Sequence, residues 1–171
     1  MQNSIPIKIV AVTKTHAFSA IASAIQNSVI DIGENRIQET EEKLNSLINL
    51  YPRNDNLYMS LADFYRSSKQ CKKAISYYSI VLNNSNIDKD QQWRLLYLRG
   101  ICYERVNNWQ SAEEDFLKSL DIYSESPQVL NYLAYGWIER NIFLNESLKM
   151  LVTAHEKDPE SHYILDSLAW A

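Results

Sequence analysis

The chain has 171 residues, 46% hydrophobic and 22% charged, with a formal net charge of −4. That length holds one substantial core or a short solenoid with an appendage, and it excludes two full domains. The charge balance and a pI near 5.4 exclude a sequence-independent nucleic-acid binder, which needs a basic face; only three glycines and four prolines predict an α-rich protein.

The first elements are not helical in pattern. Ile7 to Val12 is a short β-branched run that predicts a buried strand, and Phe18, Ile21, Ala22 and Ile25 fall at helical spacing. A second strand-like run, Ser28 to Ile32, ends at Gly33-Glu34-Asn35-Arg36, which reads as a turn into another helix. Residues 1–39 therefore predict a short, truncated β-α-β-α segment, a unit of parallel sheets and α/β barrels. Its wording, Val10-Ala11-Val12-Thr13-Lys14-Thr15 and then Ile32-Gly33-Glu34-Asn35-Arg36-Ile37-Gln38-Glu39, resembles the opening of the YggS-like pyridoxal-phosphate homeostasis proteins, a TIM-barrel family. The resemblance implies that Lys14 is the Schiff-base lysine and that Asn35 lies near the same cofactor. A lysine ending a barrel strand is well placed for that, because barrel sites gather at the C-terminal face. A full barrel needs eight such units and about 250 residues, whereas the pattern changes here after two. Lys14 is therefore read as a rim lysine of a barrel remnant, with pyridoxal-phosphate binding as the alternative and no cofactor expected otherwise.

From Glu39 to Tyr51 the chain changes character: Leu44, Leu47 and Ile48, followed by Tyr51-Pro52, suit the second helix of a helical hairpin. A repeated pattern then sets in. A small residue stands three before an aromatic, and an alanine or serine follows some nine to ten residues on: Ala62, Tyr65, Ala74; Gly100, Tyr103, Ala112; Ala134, Trp137, Ser147. The small residues Ala62, Gly100, Ala134 and Ala169 are spaced 38, 34 and 35 residues apart. This resembles the tetratricopeptide repeat (TPR) family, whose helix-turn-helix unit recurs about every 34 residues. The expected architecture is mainly α, a TPR-type solenoid over residues 40–171 with about three and a half repeats: 55–88, 93–126, 127–160 and a partial 161–171. The small residues let paired helices approach, the aromatics fill the gap beside them, and Ala74 with Tyr78 or Ala112 with Phe116 share one face of the second helix. The first gap carries its excess in Asn83 to Asp88, and the third repeat needs one extra residue before Ser147.

A solenoid of this kind offers a surface and no reaction chemistry, so the expected function is non-enzymatic binding of a protein or peptide. In the family the first helix of each repeat lines the groove. Carried over, this implies Asn56, Met59, Asp63 and Arg66, then Arg94, Tyr97, Ile101, Glu104 and Arg105, then Asn131, Tyr135, Ile138 and Glu139. The set mixes arginines with carboxylates and lacks the basic clamp that suits a C-terminal carboxylate. Glu113, Glu114 and Asp115 are expected on the wet face of their helix, and Lys69, Lys72 and Lys73 at a solvated helix end.

No nucleophile motif, phosphate loop or catalytic residue is found. Cys71 and Cys102 have no Cys-x-x-Cys partner, and His16, His155 and His162 do not complete a metal site, so both cysteines are expected to be free thiols. No run approaches the roughly 18 apolar residues of a membrane span, and no signal precedes the chain, which predicts a cytoplasmic, non-membrane location. The chain stops at Trp170-Ala171 within a first-type helix, leaving Leu165, Leu168 and Trp170 without a covering partner. Self-association through this uncapped half-repeat is expected, as is the character of a truncated or rearranged gene product, down to a remnant without selected function.

Overall fold

The computed structural model describes residues 11–12, 32–33, 37–84 and 87–171. The chain divides into two compact units, 1–70 and 71–171.

In the first unit β1 (Ala11–Val12) and β2 (Ile32–Gly33) pair in parallel, Ala11 opposite Ile32 and Val12 opposite Gly33. A pair this short does not establish the expected β-α-β-α unit. The rest of that segment, with Lys14 and Asn35, lies outside the described residues. Helices α1 (Ile37–Leu50) and α2 (Asp55–Ser67) form a hairpin. The turn between them holds Pro52, whose carbonyl accepts from the Tyr58 hydroxyl at 3.1 Å. It is closed by Asn54, whose side chain accepts from the Asn56 N–H at 3.1 Å, satisfying one orphan donor of α2. Leu44 and Leu47 of α1 are buried, as are Leu57, Leu61, Ala62 and Tyr65 of α2. The Tyr65 hydroxyl donates to Glu41 at 2.7 Å, so the repeat aromatic is tied to α1 as well as packed.

The second unit contains α3 (Cys71–Leu82), α4 (Lys89–Arg105), α5 (Trp109–Ile122), α6 (Pro127–Glu139), α7 (Leu144–Lys157) and α8 (His162–Trp170). Each packs on the next, and α6 also touches α8, the nearest-neighbour pattern of a helical repeat. Helix α4 starts at Lys89 rather than residue 93, because Asp88 caps it by accepting from the Gln91 N–H at 2.8 Å. Its core holds Ile101, Ala112, Phe116, Val129, Leu133 and Trp137. Complete burial of one such large side chain contributes on the order of 1.5–3 kcal/mol. Gly100 is required by this packing: a Cβ there would lie 2.6 Å from Phe116 Cε1. Gly136 is pressed just as closely by the Trp109 ring.

Two expectations fail inside this core. Ile101 is 5% exposed and packs among these side chains instead of facing a groove. Asp115 is 3% exposed and not on a wet face. It accepts two bonds from Arg99, from Nε and Nη2, each 2.7 Å long, while Arg99 Nη1 donates to Ser79 Oγ at 2.9 Å, so one guanidinium joins α3, α4 and α5. Burial opposes the charge of Arg99, but the bonds and field of Asp115 more than offset it and hold the guanidinium protonated. Glu113 accepts from Trp137 Nε1; Glu114 alone of the three is exposed, paired with Lys118 at 2.7 Å.

The first-type helices α2, α4 and α6 all end alike. Lys69, Asn107 and Asn141 take left-handed backbone, with φ of 60°, 61° and 56°. The following N–H then reaches back to Tyr65, Tyr103 and Trp137 carbonyls at 2.8, 2.9 and 3.0 Å, a Schellman closure. The residue inserted before Ser147 appears in this turn: Phe143 is also left-handed, at φ 48°, and its ring meets that of Trp137 at a tilt, with centroids 4.9 Å apart.

Candidate binding groove

Helix α6 has two faces. Val129, Leu130, Leu133, Ala134 and Trp137 enter the core, which turns Gln128, Asn131, Tyr132 and Tyr135, spaced three, four and seven apart, to the other side. With Tyr97 of α4 and residues of α8 they line a cavity of about 480 Å³. From α8 come Tyr163, Ile164, Asp166 and Ser167, with Ser161 just before it. Its floor is a cluster of aromatic contacts: Tyr97 and Tyr132 meet edge to face at 5.6 Å, and each also meets Phe116, at 6.3 and 5.9 Å. Its rim is open to solvent, with Tyr135 39% and Tyr163 81% exposed.

Asn131 Oδ1 is buried without a hydrogen-bond partner. Glu139, by its charge and its hydrogen bond with the phenol, pushes the Tyr135 pKa up, with Glu104 adding to the same field. No group of three or more His, Cys, Asp or Glu among the described residues is placed to hold a metal, and no described helix is long and apolar enough to cross a membrane.

Of the residues expected to bind a partner, the cavity gathers Tyr97, Asn131 and Tyr135. Glu104 acts on Tyr135 through its charge only. Arg94 is exposed, paired with Asp90 at 3.3 Å and lying over the Trp93 ring at 5.4 Å. Arg105 is exposed in the last turn of α4. Met59, Asp63 and Arg66 belong to α2 in the first unit, where Arg66 Nε lies 3.5 Å from Asp63 Oδ1. The expectation stopped short of α8, although the sequence carries the signal. The 35-residue step from Ala134 to Ala169, applied to Gln128 and Asn131, lands on Tyr163 and Asp166.

No family model matches the chain. It is similar to the TPR repeat-containing protein PA4667 of Pseudomonas aeruginosa, 29% identical over 76 residues, which is 44% of this chain and 13% of that protein. Among solved structures it is similar to the APC/C hetero-tetramer Cut9-Hcn1, with a TM-score of 0.70 and 13% identity over 90% of this chain and 29% of that one. YrrB, described as a TPR protein with an unusual peptide-binding site, gives a TM-score of 0.66 and 12% identity over 90% and 73%. The first TPR of Spaghetti (RPAP3), bound to the HSP90 peptide SRMEEVD, gives 0.60 and 15% over 68% and 88%. These likenesses show the fold: a mainly helical, TPR-type solenoid.

Proposed function

We propose that this chain is a non-enzymatic interaction module that holds a protein or peptide segment in the groove of α4, α6 and α8. The observation that carries this is the cavity itself. Three successive first-type helices bring four tyrosines, Asn131 and Asp166 to the lining of one space. Aromatic side chains are the usual anchors of binding energy. That YrrB and the RPAP3 domain are peptide-binding TPR proteins supports the reading. Arg94, Glu104 and Arg105 of α4 and Met59, Asp63 and Arg66 of the first unit are further candidate contacts. The pyridoxal-phosphate alternative rests on Lys14 and Asn35 and has no described geometry to stand on. A second property of the molecule is self-association, because Leu165 and Trp170 of α8 are 39% and 72% exposed.

Selection of a random peptide library on the purified chain tests the groove. Enriched peptides are expected to lose roughly tenfold or more in affinity on Tyr135→Ala, as truncation of an anchor does. Failure to enrich any sequence, or equal binding to the variant, overturns it.

A further inference from the structure

Resting on the reading of the groove as a peptide site, we infer that its occupant is a basic segment, one that places a lysine or arginine side chain among Tyr97, Tyr135, Tyr163 and Asp166. Among the described residues, Asp166 is the one charged side chain that lines the cavity, and it is exposed on α8. Tyrosine faces attract cations through the ring quadrupole, and a carboxylate at the same site adds direct attraction. Glu139 stands one turn beyond Tyr135 on α6, and the field of Glu139 and Glu104 on that phenol shows that negative charge reaches the rim.

The cations nearby are already engaged or stand aside. Arg99 is locked to buried Asp115. Arg140 lies 3.9 Å over the Trp109 ring and donates to the Gly136 carbonyl at 2.8 Å. Arg94 pairs with Asp90. Arg105 and His162 do not line the cavity, and α6 carries no basic residue between Pro127 and Glu139. An acidic occupant would therefore meet Asp166 with no counter-charge in the lining, which is a repulsive arrangement. A basic segment instead brings the counter-charge that Asp166 lacks in the lining.

The test uses two end-capped, fluorescein-labelled peptides of alanine and leucine, one carrying three lysines and the other three glutamates, read by anisotropy on the full chain. The lysine peptide is expected to bind about tenfold or more tighter than the glutamate peptide, the scale of a cation–π contact plus one charge pair. Asp166→Lys should remove that preference, and Tyr163→Ala, on an exposed ring, should weaken lysine-peptide binding several-fold. Circular dichroism of each variant checks that the helices are retained. Lysine-peptide binding unchanged by both variants means diffuse attraction to an acidic chain and overturns the inference. Tighter binding of the glutamate peptide, lost on Tyr135→Ala, overturns the basic preference while leaving the groove as a peptide site. No binding of either peptide, together with no enrichment from the random library, overturns both readings.

Discussion

Lys69, Asn107 and Asn141 occupy the position where helices most often end in glycine, and a chain with three glycines places none of them there. Asparagine tolerates the left-handed region because its short polar side chain bonds locally, but lysine does not share that advantage. Lys69 is exposed and its side chain closes no core, so its cost is almost wholly backbone. Lys69→Gly is expected to raise the unfolding free energy by about 0.5–1 kcal/mol, the αL penalty less the extra freedom of unfolded glycine. Asn107→Gly should gain less. Urea midpoints of the two variants, with equal slopes, give the comparison directly; a loss of stability in Lys69→Gly would show that its side chain contributes more than its backbone costs.

At the level of elements, the ion pair of Arg99 and Asp115 is the polar joint of α4 and α5, with α3 attached through Ser79. Asp115→Ala leaves a mostly buried guanidinium unpaired and is expected to cost about 3–5 kcal/mol, whereas the double change Arg99→Met, Asp115→Leu should recover most of it. A double-mutant cycle in urea measures the coupling, and additive single losses would refute the joint. This joint also marks where the sequence stops being legible. Small and aromatic residues at a fixed period announce helix pairs because volume must match across a packed interface, and Gly100 against Phe116 follows that rule. A carboxylate beside two others reads as solvent-facing, since burial of Asp115 depends on an arginine sixteen residues earlier meeting it in space. Ile101 is a second such case: the family position implies a groove contact, but the side chain packs in the core with Phe116, Val129 and Leu133. Tyr97, Asn131 and Tyr135 are legible through the repeat's family positions; Tyr163 and Asp166 carry only the 35-residue step, in a partial repeat whose helix has nine residues.

At the scale of the second unit, the groove with its carboxylate and an uncharged apolar stripe are both exposed among the described residues, and solution conditions separate them. The groove is aromatic with one carboxylate, Asp166, while α7 exposes Leu144, Leu148 and Val152 at 49%, 45% and 43%, four residues apart along one stripe, and α8 exposes Trp170 at 72%. Burying apolar surface contributes about 25 cal/mol per Å² and does not depend on charge, whereas attraction between exposed charges fades as the Debye length shrinks to about 3 Å at 1 M salt. Light scattering is therefore expected to show a mass that rises with protein concentration and persists at high salt, while binding of the lysine peptide weakens under the same conditions. Leu148→Glu combined with Trp170→Ser should return the chain to a monomer without changing peptide affinity, because neither residue lines the cavity. A constant monomer mass over a hundredfold range of concentration would remove self-association from the account. A double variant that also lost the peptide would mean that the two surfaces are one.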